Sequence, residues 1–149
     1  MNVILRLAVE ADCEFAFEAK RQALGPHVAA HWGWDESTQL AYHHQHWTSR
    51  LWSIILNADG PIGTVSIETT KEYIRFGEFY LLTRYQRQGI GSQILKEVLH
   101  IADAQRLPTK LEYLKWNPVG SLYKRHGFVV VDENDTHYFL LREPAGTRS

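Results

Sequence analysis

The chain has 149 residues, with 16 Lys plus Arg set against 17 Asp plus Glu and a formal net charge of −1. That length suits one domain with a real hydrophobic core, and the balanced charge argues against the basic surface that nonspecific nucleic-acid binding needs. Cys13 is the single cysteine, so no intrachain disulfide can form, and no apolar stretch is long enough to span a membrane as a helix.

Residues 3–7 read as a short strand. Glu10-Ala11-Asp12 supplies acidic residues that open a helix. Phe15, Ala16, Ala19 and Ala23 then recur at helical spacing up to Gly25-Pro26, which is expected to break the helix. A loop rich in Trp and His runs through Trp32-Gly33-Trp34-Asp35, with Asp35 placed to cap a second helix that ends near Arg50. Residues 51–56 form an apolar strand. Asn57-Ala58-Asp59-Gly60-Pro61 is a turn, and residues 62–69 are the hairpin partner. A turn near Lys71-Glu72 leads to a further strand at 73–82. A helix with Ile94, Leu95, Val98, Leu99 and Ala102 on one face continues to Leu107-Pro108. A strand at 110–114, a helix at 118–126, and strands at 128–132 and 137–141 complete the order. The segment from Glu143 reads as frayed, giving one domain over residues 1–143 and a flexible tail over 144–149. This succession makes an α/β domain with helices packed on a mixed sheet.

The join between the strand at 73–82 and the long helix is the most informative stretch: Gln86-Arg87-Gln88-Gly89-Ile90-Gly91-Ser92. The first amides of a helix have no partner within it, and the helix dipole adds partial positive charge there. Gly89 and Gly91 let backbone approach an anion closely. A dinucleotide-binding turn would need a third glycine where Ile94 stands. A P-loop would need a Gly-Lys-Ser/Thr string, and the chain has none.

After the helix and the strand at 110–114 comes Asn117-Pro118-Val119-Gly120-Ser121-Leu122-Tyr123-Lys124-Arg125-His126-Gly127-Phe128. Gln-x-x-Gly-x-Gly after a strand, followed by Asn…Leu-Tyr-x-x-x-Gly-Phe, resembles the two cofactor motifs of the GNAT N-acetyltransferases. The two motifs span about residues 73–130. The resemblance implies the GNAT fold: a mixed, mostly antiparallel central sheet flanked by helices, with two strands splayed to form the cofactor cleft. It also implies an acetyl-CoA-dependent N-acetyltransferase acting on a primary amine of a small molecule or peptide, with no metal.

On that resemblance, backbone amides of Arg87, Gln88, Gly89, Gly91 and Ser92 hold the pyrophosphate. Backbone at Leu81 and Leu82 pairs with the pantetheine arm, and Asn117 hydrogen-bonds it. Asn117 before Pro118 also fits a helix N-cap. Tyr123 matches the family tyrosine and is the expected general acid for the departing thiolate; its ring also suits packing on the sheet. Glu112 and Glu78 are the candidate bases, with a water chain as the alternative to either.

The acceptor region is expected in the first two helices and their loop, where Trp32, Trp34, Asp35 and Glu36 offer aromatic surface and negative charge for a cationic amine. Trp47 and Trp52 read as core. His27 with His31, and His43 with His46, share helical faces, but no complete metal-ligand spacing accompanies them. The expected partners are therefore acetyl-CoA and an amine, without nucleic acid or membrane, and a homodimer is compatible with the sequence. The expected location is the cytoplasm: the single cysteine suits a reducing compartment, and Arg6 and Glu10 interrupt any signal-like apolar run. Two other readings fit the same motifs: a GNAT-like module that holds acyl-CoA without catalysis, and an acyltransferase for longer acyl groups or whole proteins.

Overall fold

In a computed structural model, residues 2–146 are described; Met1 and the expected tail positions 147–149 lie outside them. The elements are β1 (Ile4–Leu7), α1 (Cys13–His31), α2 (Glu36–Ser49), β2 (Trp52–Asn57), β3 (Gly60–Thr69), β4 (Ile74–Leu81), α3 (Ile90–Gln105), β5 (Thr109–Leu114), α4 (Gly120–Arg125), β6 (Val129–Glu133) and β7 (His137–Arg142). Short 3-10 turns occupy Glu10–Asp12 and Thr83–Tyr85. Among the described residues the strands form one open mixed sheet in the order β1-β2-β3-β4-β5-β7-β6. The α/β class, the element order and the helix-flanked mixed sheet are as the sequence predicts.

The helix break expected at Gly25-Pro26 is absent: α1 continues through Pro26 to His31. Proline removes one helical hydrogen bond and crowds the preceding turn. The buried residues Ala19, Lys20 and Leu24 before it and Val28 after it hold both sides of the helix in place. Trp34 packs close by: a Cβ on Gly25 would stand 3.9 Å from its ring.

The chain divides into two compact units. One comprises Met1–Ser66 and Glu78–Gln88; the other comprises Ile67–Gly77 and Gly89–Ser149. In the first, β1 pairs antiparallel with β2, and β2 with β3. Its core includes the fully buried Ile54, Ile55, Ile62 and Val65, together with Ala16, Ala19 and Val28. Asp35 caps α2 as predicted, accepting from the Thr38 amide at 3.1 Å. The Thr83 amide donates to Gln22 Oε1 at 2.8 Å, which ties the turn after β4 to α1.

In the second unit, β4 and β5 run parallel through Ile74–Thr109 and Arg75–Lys110, and β7 lies antiparallel between β5 and β6. The apolar face of α3 (Ile90, Ile94, Leu95, Val98, Leu99, Ala102) is buried, as the helical spacing predicts. Arg142 grips Asp103 with two bonds of 2.7 and 3.2 Å, and the Ala145 amide donates to the same carboxylate at 2.9 Å. The segment expected to fray from Glu143 is thus held as far as Ala145.

Candidate functional site

β4 carries the first unusual feature. Its buried side chains are Ile74 and Phe76 at the start and Leu81 at the end, with Gly77 also buried, so the two-residue alternation of side chains slips by one along the strand. The slip falls where Glu78 takes φ = +47°, a left-handed conformation that costs a non-glycine residue on the order of 1–3 kcal/mol. The fully buried Thr64 steadies it, donating its hydroxyl to the Glu78 carbonyl at 2.8 Å. The Glu78 side chain is 9% exposed and lies 3.7 Å from Arg50 Nε; it accepts from the Tyr80 phenol at 3.2 Å. Lys20, only 6% exposed, also feels its charge: burial pushes the Lys20 ammonium below its usual value and Glu78 opposes that shift. Glu78 is therefore a largely buried carboxylate among two cations and a phenol. The sequence held one signal of this cluster, a lysine on the otherwise apolar face of α1.

After β4 the main chain is braced by side chains. Gln86, the first residue of the loop motif, donates to the Leu81 carbonyl at 2.8 Å. The Leu82 amide bonds the Ile62 carbonyl at 2.9 Å. Gln88 donates to the Arg84 carbonyl at 2.8 Å. Arg87 takes φ = +61° and Gly89 φ = +81°. Gly89 is the N-cap of α3, and nothing would meet a Cβ there, so its backbone angle is what calls for glycine. The N-cap of α3 makes no side-chain hydrogen bond and its first turn holds no acid. Those amides are left for an anion.

The second unit holds the remaining motif. Asn117 Oδ1 accepts from the Val119 amide at 3.2 Å; it closes the turn that precedes α4 rather than capping the helix, whose N-cap is Val119. Tyr123 on α4 is 4% exposed. Its ring meets those of Tyr113, Phe128 and Phe76 at centroid distances of 5.7, 5.9 and 6.1 Å. Glu112 is exposed and alternates on β5 with the buried Leu111 and Tyr113, so it lies on the opposite face of that strand from the Tyr113 ring. Near it the structure forms a hollow of about 440 Å³ lined in part by Arg75, Lys110, Glu112, Phe139 and Leu141. Ser92, in the first turn of α3, lies 2.9 Å from Nε2 of His126. Burial, and then the cations Arg125, Lys96 and Arg142, lower the His126 imidazolium below its usual value. Nothing in the sequence pattern marks His126 for this contact.

Most of the residues expected at the acceptor region have local partners. Asp35 caps α2. Glu36 accepts from Trp34 Nε1 at 2.8 Å and pairs with Arg21. Trp34 stacks toward Phe17 with centroids 6.3 Å apart, and Trp32 remains 49% exposed. Trp52 is core at 4% exposed; Trp47 is half-buried, its indole donating to Glu10 at 3.2 Å. Among the described residues no group of three or more His, Cys, Asp or Glu is gathered as metal ligands would be.

The acetyltransferase (GNAT) domain family matches residues 44–130, more than half of the chain. No curated protein is significantly similar in sequence. Among solved structures, the PaiA N-acetyltransferase of Thermoplasma acidophilum, in complex with coenzyme A, is 18% identical with a TM-score of 0.74, covering 96% of this chain and 99% of its own. A GCN5-related N-acetyltransferase from Rhodopseudomonas palustris is 14% identical at a TM-score of 0.69, covering 96% of each chain. Ard1 from Thermoplasma volcanium is 17% identical at a TM-score of 0.64, covering 97% of this chain and 99% of its own. At such identities these structures speak to the fold, whereas the domain match speaks to descent. With that match over both cofactor motifs, the chain belongs to the GNAT acetyltransferase family.

Proposed function

We propose that this protein is an acetyl-CoA-dependent N-acetyltransferase for a primary amine. The observation that carries the reading is the open start of α3: a left-handed Gly89 as N-cap, with no side-chain cap and no acid in the first turn. An anionic cofactor supplies what that helix end lacks. Amides of Arg87, Gln88, Gly89, Gly91 and Ser92 would hold the pyrophosphate, while Asn117 and the backbone at Leu81 and Leu82 would hold the pantetheine arm. The PaiA structure, which contains coenzyme A, supports this choice by its shared fold. When bound, acetyl-CoA supplies the activated thioester.

The chain's own residues have two proton tasks. An amine with a pKa of about 10.4, as in lysine, must lose a proton before it can attack. We assign that task to Glu78, whose carboxylate is largely buried beside Arg50 and Tyr80, rather than to the exposed Glu112. The departing thiolate needs a proton, and the Tyr123 phenol is the donor we assign. Trp32 is the exposed aromatic surface for the acceptor, with Trp34, Asp35 and Glu36 shaping the loop beside it. A cytoplasmic location accords with this chemistry.

Calorimetry with coenzyme A tests the anchor. Gly91→Val, which puts bulk in the first turn of α3, is expected to abolish binding; unchanged affinity would refute the amide-cradle reading. Glu78→Gln and Glu112→Gln, assayed for kcat across pH, separate the two bases.

A further inference from the structure

We infer that His126 sets the strength of cofactor binding by deciding which way the Ser92 hydroxyl points its proton. This rests on the reading of Ser92 as part of the pyrophosphate site. A serine hydroxyl has one proton to give and two lone pairs with which to accept. Ser92 Oγ and His126 Nε2 are 2.9 Å apart, so one of them must donate to the other. If Nε2 is bare, it takes the serine proton, and Ser92 turns only lone pairs toward an anion. If Nε2 carries hydrogen, it donates to Oγ and frees the serine proton for a phosphate oxygen. A bound phosphate therefore selects the form of His126 that has hydrogen on Nε2.

Two forms carry hydrogen on Nε2, the neutral tautomer and the imidazolium, and an anionic ligand favours the imidazolium. The charged groups acting on the ring are Arg125 from its own helix, Lys96 from α3 and Arg142 from β7. All three are cations, and after burial they lower the ring's affinity for a proton. Arg142 is also engaged by Asp103. Negative charge brought in by a pyrophosphate offsets that repulsion and draws a proton onto His126. Binding is then linked to proton uptake, and affinity weakens as pH rises through the value His126 takes in the complex. His126 is a positioning residue in this account, because it acts through Ser92.

The test is calorimetry of coenzyme A at about pH 6.5 in two buffers of contrasting ionisation enthalpy, which reads the number of protons taken up. The free phosphates of coenzyme A also titrate near there, so the comparison is between variants. His126→Gln places a permanent N–H donor where Nε2 stands. It is expected to keep affinity within about threefold and to lose the wild-type excess of proton uptake. His126→Leu removes the competing acceptor and leaves the serine proton for the phosphate, so affinity is expected to stay within about threefold, again without the excess proton uptake. In a Ser92→Ala background the same leucine change should have little further effect. Equal proton uptake in wild type and in a folded His126→Gln or His126→Leu would overturn the inference. Failure of the wild-type protein to bind coenzyme A would instead refute the cofactor reading on which it stands.

Discussion

The hydroxyl of Thr64 donates to the main-chain carbonyl of Glu78 at 2.8 Å, and that bond holds the left-handed residue inside β4. Thr64→Val keeps the buried shape but leaves this carbonyl without its side-chain donor. The expected cost is about 1–3 kcal/mol in urea denaturation, with a fall in kcat as the Glu78 carboxylate loses its aim. Thr64→Ser should restore most of both. Unchanged stability and turnover in Thr64→Val would show that the bond is incidental.

Gly120 starts α4 against Tyr113. A Cβ at that position would clash with the Tyr113 hydroxyl. Tyr113 is 8% exposed and sits between Tyr123 and Tyr138 at centroid distances of 5.7 and 5.6 Å, so its ring has little room to retreat. Gly120→Ala is expected to lose about 1–3 kcal/mol by overpacking and to lower kcat by displacing Tyr123. Adding Tyr113→Phe removes the clashing oxygen and should recover stability. Additive losses in the double variant would contradict the steric account.

His43 predicts an acid-side weakness. It is 1% exposed, and its Nε2 lies 3.0 Å from the Cys13 carbonyl, to which it donates as Nε2–H. Nδ1 is buried with no hydrogen-bond partner, in a ring cluster with Phe17, Trp47 and Trp52. Burial pushes the imidazolium below its usual value; the Cys13 carbonyl opposes this, Lys20 and His44 add to it, and Glu78 opposes it. The unfolded chain therefore binds this proton more readily than the folded one. The stabilisation is fully present above about pH 6.5 and is lost as pH falls from there toward the lowered folded value. Thermal unfolding between pH 5 and 8 should show wild-type Tm falling on the acid side. His43→Phe should show a flatter slope over the same range; an identical slope would assign the effect to other groups.

Much of this was legible in the sequence because it is local. Gly89 and Gly91 at a strand-to-helix junction, and Asp35 before α2, state their backbone geometry within a few residues. The structure bears out the Asp35 cap, and of the two loop glycines Gly89 takes a left-handed φ while Gly91 lies within α3. Pro26 was misleading because its local cost is outweighed by burial along the rest of α1. The surroundings of Glu78 were not legible. Thr64, Arg50 and Lys20 reach it from three elements far apart in sequence, and the slip in β4 that turns φ positive leaves no mark in residue type. Ser92 and His126 likewise meet across 34 positions, a distance that no periodicity spans.

The most direct test of the central claim is the kcat of Tyr123→Phe, measured as thiol release from acetyl-CoA with an amine that the wild-type protein acetylates. Loss of the proton donor should lower kcat by about 10²-fold or more, with coenzyme A affinity unchanged. Full turnover in that variant, or no thiol release by the wild-type protein with any amine despite coenzyme A binding, would contradict the account.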